Sequence, residues 1–550
     1  MTERERAVEE IVAVFAEAAP EGWRRSAFHW RESDGGISMG GGYETGDGGQ
    51  QRLPLRTVHR RLVEPARVLR ESCGTSGSTA ELECAADGTY RLVVAPTAGT
   101  RPGLGGGGGI ILDPAARLPE PGLAEETGTA APAGDPDEAV ALFRAILARR
   151  AALLGGPERL PAPARESAIE AAERRLGARL PADLRALYAL ADGDLVDGRH
   201  RDVLGEAGWL SLDGMVAAHA HQAVPDWMGW SLGWDAVILD AEPPGRVRRC
   251  TGDPTRIPFL TNEDGNYRAV DLAPARHGHP GQVIVVGRDH AHGATYLTES
   301  VTALLRWALG ELDRGAYEVA DGNVWLDRAL SSAKRLRPRP GTVAEPPGPE
   351  VQEVEARGAD GPVDLGALAG APALRRVTLY GGASARDLTP LRTAPVESLT
   401  TALTGTAGGL APLAGHPRLR ALRLTGAGAP VDLAPLRTVP GLCGLALSGV
   451  PLADPSVLAE LPGLRYLVLD RRQWAALLDA GGAPTGLAAA GLGEPDAGLD
   501  ETLDLAARLG HPLDAFRAEG TLPAPPVPAS VRNRQTAANP RSPSAPGPTP

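Results

Sequence analysis

Lysine is nearly missing from this 550-residue chain: of 56 basic residues only Lys334 is a lysine. Against them stand 68 acidic residues, for a formal charge of −12. The chain therefore lacks the basic excess that releases counterions from a phosphate backbone, and nucleic acid is not the expected partner. Cysteine is scarce too. Cys73, Cys84, Cys250 and Cys443 lie far apart with no CxxC pair, which excludes a zinc-finger spacing and a disulfide framework. No apolar run approaches the ~18 residues of a membrane span, and the opening Met1-Thr2-Glu3-Arg4-Glu5-Arg6 is not the start of a signal peptide. These absences predict a soluble cytoplasmic protein that takes no membrane. No Walker A lysine, HExxH helix, nucleophile elbow or catalytic Cys-His pattern occurs. The expectation is a protein without catalysis, metal or cofactor.

What is present is punctuation. The 69 glycines and 50 prolines imply many turns and connections, and the length suits several domains. Thr2 and Glu5 form a capping box ahead of Val8, Ile11, Val12 and Phe15, which share one helical face up to Pro20. Strand signals follow at 26–30 and 80–84. A second helix spans 58–69 between them, with Pro65 as a blemish, and Asp87-Gly88 turns a hairpin into 90–94. This predicts an α+β module over 1–113, then a Pro/Gly linker over 114–136. Asp135-Pro136-Asp137-Glu138 opens a helix. The next domain, 137–320, carries helical stripes at Ile169/Ala172/Leu176 and Leu184/Leu187/Tyr188. Its strand signals lie at 236–239, 267–272 and 282–286, and Ser300 caps a last helix. A second linker is expected over 321–360.

Beyond it the chain repeats. Leu374/Val377/Leu379, Val396/Leu399/Thr401, Leu419/Leu422/Leu424, Leu442/Leu445/Leu447 and Leu464/Leu467/Leu469 recur at intervals of about 22–23 residues, with Asp387-Leu388 and Asp432-Leu433 marching in phase. Each LxxLxL predicts a short strand feeding one shared core. The pattern resembles short, internalin-like leucine-rich repeats, although the asparagine usual after each strand is missing. Repeats are expected over 361–478, a helical cap over 479–521 and a disordered tail over 522–550. Alternation places Arg376, Thr378, Thr400, Arg423, Tyr466 and Val468 on the outer strand face.

Three further motifs hold chemistry only in form. Gly103-Leu104-Gly105-Gly106-Gly107-Gly108 matches GxGxxG but has Pro102 before it and no helix after, so it reads as a loop. The HxH pairs His219/His221, His277/His279 and His290/His292 lack a third ligand, and a metal hydrolase built on them is the least favoured reading. Trp227, Trp230 and Trp234 anchor a core or offer a partner surface.

The centre resembles the SUKH superfamily, the Knr/Smi-type regulatory and immunity domains. The likeness lies in Ile169-Glu170-x-x-Glu173-x-x-Leu176-Gly177-x-x-Leu180-Pro181-x-Asp183-Leu184, then in Ile257-Pro258-Phe259-Leu260 through Asp264-Gly265-Asn266-Tyr267, Val270-Asp271-Leu272 and the helix from Ser300 to Leu312. Residues 11–23 and 81–90 are similar to YezG-like immunity modules. These resemblances imply an α+β fold in both places and binding surface rather than catalytic machinery. The function they imply is a multi-module immunity protein that neutralises a toxin domain by occlusion; the alternative is a regulatory scaffold that gathers partners on its repeats. The expected partner is a protein, such as a basic toxin domain. Its expected contacts are Trp227, Trp230, Asp264 and Tyr267 in the centre and Arg376, Arg423 and Tyr466 on the repeats.

Overall fold

The computed structural model describes residues 2–522 apart from 34–35, 47, 75–76, 97–99, 103–107, 114, 117–121, 123–124, 223–236, 251, 291–292, 327–334, 337–345, 359–360, 405–408 and 462. The glycine-rich loop, most of the Pro-rich stretch before 350 and the tail from 523 lie outside the described residues. The chain divides into two compact units, Met1–Thr97 with Asp514–Pro550, and Ala98–Leu513.

In the first unit α1 (Glu3–Glu17) begins with the expected reciprocal cap. Thr2 Oγ1 accepts from the Glu5 N–H at 3.2 Å, and the Glu5 carboxylate accepts from the Thr2 N–H at 2.7 Å. Then come β1 (Trp23–Ser33), β2 (Gly36–Thr45), β3 (Gln50–Arg52), α2 (Leu55–Ser72, with Pro65 inside), β4 (Gly77–Ala85) and β5 (Thr89–Pro96). The strands make an antiparallel sheet, and its outer member beside β5 is Phe516–Thr521. Phe15, Phe28 and Trp30 join Leu62, Leu82 and Leu92 in its core. The expected 1–113 module is thus corrected: its last strand comes from the far end of the chain, and 108–112 belongs elsewhere. The glycine-rich β2 gave no apolar alternation to read.

The second unit holds two cores. The first is built from α3 (Pro136–Leu154), α4 (Glu166–Leu176), α5 (Ala182–Tyr188), α6 (Leu212–Gln222) and α7 (Val301–Arg314). They pack on an antiparallel sheet. Numbering on after β6 (Thr100–Pro102) and β7 (Gly108–Ile111), its strands are β8 (Gly208–Trp209), β9 (Arg256–Thr261), β10 (Asn266–Asp271), β11 (Gln282–Gly287) and β12 (Thr295–Thr298), ordered β12-β11-β10-β9-β8. The caps are those the residue types demand. Asp135 accepts from the N–H groups of Asp137 and Glu138, Ser300 accepts from Ala303, and Gly177 closes α4 at φ 71°. Phe143, Tyr188, Trp209, Phe259 and Leu304 fill the core. The other face of the sheet is covered by the loop around 237–250, through Ala241 and Val247. Residues 237–239, expected as a strand, are buried in that loop without pairing in one.

The second core is the solenoid. Val354, Val377, Leu399, Leu422, Leu445, Leu467 and Ala490 stand in one column of a parallel strand ladder. The ladder is longer than the repeats predicted. Glu353–Arg357 lies inside the expected linker yet forms a full turn, because Val351, Val354 and Ala356 point inward. Ala489–Leu492 adds another turn within the expected helical cap, and β7 closes that end by pairing antiparallel to it. The cap is therefore mixed: helices Arg471–Asp479 and Leu499–Arg508 flank a strand. The phased aspartates turn the chain after each strand. Asp387 accepts from the Thr389 N–H and Asp432 from the Ala434 N–H, each at 2.9 Å. In place of an asparagine, buried His416 ties two turns: Nε2 meets the carbonyls of Leu391 and Ala394 at 3.2 and 3.1 Å, and Nδ1 accepts from the Leu419 N–H at 2.9 Å.

The expected linker over 114–136 is a strap wherever it is described. The N–H groups of Leu112 and Asp113 donate to the Ala488 carbonyl, Ala116 packs by Tyr466 and Val468, and the Gly122 N–H donates to the Arg249 carbonyl. The Gly128 N–H then reaches the Pro274 carbonyl. No described helix is long and apolar enough to cross a membrane.

Candidate protein-binding site

The β9–β10 hairpin exposes acid. The Asn266 N–H donates to Asp264 Oδ1 at 2.9 Å, the Asn266 side chain donates to Asp289 Oδ2 at 2.7 Å, and Asn266 Oδ1 accepts from the Asp289 N–H at 3.0 Å. One buried asparagine thus ties the hairpin tip to the loop after β11 and leaves Glu263, Asp264 and Asp289 turned to solvent. Slight burial works against the charge of Asp264, but hydrogen bonds from the Asn266 backbone and side chain and from its own N–H, with the nearby Arg288 charge, together hold the carboxyl below its usual range. Glu263 sits in the left-handed region at φ 60°.

Behind the tip stands a pair that no local motif announces. Asp194 is fully buried and accepts from the N–H groups of Val203 and Trp209 at 3.1 and 2.8 Å. His200 Nδ1 meets the same carboxylate at 2.6 Å, and its Nε2 faces Glu263 at 3.8 Å. The hydrogen bond to Asp194 raises the His200 pKa, burial opposes it, and Glu263 and Asp202 add to it. Deeper still, Arg268 pairs with Glu206 at 3.2 Å. The corner thus sets three exposed carboxylates on a buried hydrogen-bonded asparagine, with one imidazole behind them.

The expected contacts fall in different places. Asp264 is exposed at the tip, and Tyr267 is half-buried beside Ile284 and Val286 on the sheet face away from the helices. Trp227 and Trp230 lie outside the described residues. Of the paired histidines, His219 lies on α6 and meets the Pro254 carbonyl at 2.8 Å, and His279 meets the Ala131 carbonyl at 3.0 Å. Among the described residues no group of three potential ligands forms a metal site.

On the repeats, Arg423, Thr378 and Thr400 are half-buried, but the outward reading of Arg376, Tyr466 and Val468 is corrected. Arg376 is 5% exposed, held by Glu353 at 3.3 Å and by the Val237 carbonyl at 3.4 Å; Tyr466 is fully buried beside Ala116. Alternation did turn these side chains away from the solenoid core. The chain's own strap and the loop around 237–250 then covered them, and no repeat period contains that fact.

Residues 163–307 match the model of the SMI1 / KNR4 family (SUKH-1). This stretch is a SUKH-1 domain. It holds α4 to α7 in part or whole, the whole antiparallel sheet and the acidic hairpin, while α3 precedes it. The chain is 29% identical to a "Glucan synthesis regulatory protein" of Neurospora crassa over 32% of its own length and 36% of that protein. It is 36% identical to a "KNR4/SMI1 homolog" of Yarrowia lipolytica over 14% of its length and 11% of that protein. It thus spans about a third and about a tenth of these relatives. Among solved structures, an internalin C2 from Listeria monocytogenes str. 4b F2365 covers 25% of this chain and 63% of its own, at 20% identity and a TM-score of 0.20. An internalin (inlF) from the same strain covers 34% and 62%, at 17% identity and a TM-score of 0.21. The repeat architecture here rests on its own strand ladder.

Proposed function

We propose that this chain is a non-enzymatic cytoplasmic binding protein whose SUKH-1 domain captures a protein ligand at the acidic β9–β10 corner, as an immunity protein does when it occludes a toxin domain. The observation that carries the reading is the rigid exposure of Glu263, Asp264 and Asp289 on a buried asparagine bracket, in a chain of net charge −12. Such a surface speeds encounter with a basic partner, and the effect fades as salt screens it. The N-terminal module, read as YezG-like, adds a second surface of the same kind. The regulatory-scaffold reading has its own support, since one curated relative is named for regulating glucan synthesis.

The experiment is co-expression of the full chain with each basic toxin encoded beside it, scored by growth and by affinity across a salt series. Immunity predicts rescue by the wild type. The paired change Glu263→Arg and Asp264→Arg should weaken binding at least tenfold, mainly by slowing association, with the melting temperature kept. Rescue that ignores the charge reversal sinks the site. No rescue by any neighbour favours the scaffold.

A further inference from the structure

The solenoid's outer strand face is closed along a whole column. Glu353, Arg376, Ser398, Ala421, Gly444, Tyr466 and Ala489 point away from the repeat core, and every one is buried. At the C-terminal turns the cover is apolar, Ala116 against Tyr466 and Val468. At the N-terminal turns it is polar and comes from the loop that backs the SUKH-1 sheet.

There Gln352 pairs with the backbone of Asp240 in both directions, at 2.7 and 3.1 Å. Arg375 donates to Asp240 Oδ2 at 2.5 Å and to Glu397 Oε1 at 2.6 Å. Arg249 reaches the same Glu397 oxygen at 3.2 Å and lies 3.8 Å from Asp240 Oδ1. Side chains of Arg249, Arg375 and Glu397 are 8%, 13% and 5% exposed. The apolar cores on either side stay separate: one runs from Ala139 to Leu326, the other holds the repeats with Ile110 and Leu112.

A joint made of charge differs from one made of leucine. Both surfaces are well solvated when parted, and desolvation offsets most of the Coulomb attraction when they close. Interfaces of this polar kind between domains are separable by default. We propose that Asp240, Arg249, Arg375 and Glu397 form a reversible ionic latch by which the chain occupies its own solenoid face, and that parting the latch opens that face to solvent. The inference stands apart from the acidic hairpin and survives its failure.

The test uses the full chain with Ser398→Cys, a near-isosteric change under the cover, and Thr400→Cys, two positions along on the same face and half-buried. Maleimide labelling is read at each position by peptide mass mapping, so native cysteines do not interfere. With the latch intact, position 398 should label at least tenfold more slowly than 400. Arg249→Gln, from the SUKH-1 side, should raise the rate at 398 severalfold while that at 400 holds; if it fails to fold, Glu397→Gln carries the same expectation. Equal rates at 398 and 400 with the latch intact would overturn the covered face. An unchanged rate at 398 in a folded latch variant would overturn the latch.

Discussion

Arg150 is the most informative side chain to remove. It leaves α3 before the SUKH-1 match begins, and its side chain is 1% exposed. Its guanidinium takes both oxygens of Glu158 at 2.6 and 2.9 Å, the carbonyls of Arg201 and Val324 at 2.5 and 2.9 Å, and Asn323 Oδ1 at 2.7 Å. Asn323 in turn donates to Asp202 at 2.7 Å. One arginine thus staples α3 to the loop before β8 and to the hairpin Glu318–Ala320/Asn323–Trp325 beyond α7. Arg150→Met leaves the Glu158 carboxylate buried and alone and two carbonyls without their donor. Stranding one member of a buried ion pair costs about 3–5 kcal/mol. At roughly 2–4 °C per kcal/mol for a domain of this size, its transition should fall by about 6–20 °C. Differential scanning calorimetry resolves that transition from the others. Part of the loss is the stranded charge, so Arg150→Met with Glu158→Gln should melt above Arg150→Met alone. A single variant within about 2 °C of wild type, or a double variant that melts lower still, would refute the reasoning.

Two further outcomes check other levels. Leu422→Ala, in the fully buried ladder column, should cost about 2–5 kcal/mol in urea unfolding, against about 0.5 kcal/mol for Thr400→Ala on the outer face; equal losses would mean a wrong register. For His200 the folded pKa is raised, so its contribution is complete below the ordinary value of about 6.5 and is lost as pH rises through the folded value. His200→Asn should therefore lower the melting temperature most near pH 6 and least near pH 9, and a deficit that grows with pH would contradict the Asp194 and Glu263 assignment.

Local rules were legible in the sequence wherever a single element decides them. The Thr2/Glu5 box, the Asp135 and Ser300 caps, the glycine that ends α4 and the leucine column all follow from steric and hydrogen-bonding preferences acting within one turn or one repeat. The SUKH-like order of helices and strands was legible for the same reason. Its hairpin turn at Asp264-Gly265-Asn266 could be placed, though not the bracket to Asp289, twenty-three residues on. What escaped was whatever depends on distant residues meeting. Weak turns such as Val351/Val354/Ala356 are held by neighbours in the ladder rather than by their own composition. Phe516–Thr521 has no claim to the first unit until β5 offers an unpaired edge. Alternation correctly turned Arg376 and Tyr466 away from the core, because side-chain direction in a strand has a period of two. Whether such a side chain then meets water or another part of the chain has no period, and only the folded chain laid Val237 and Ala116 over them.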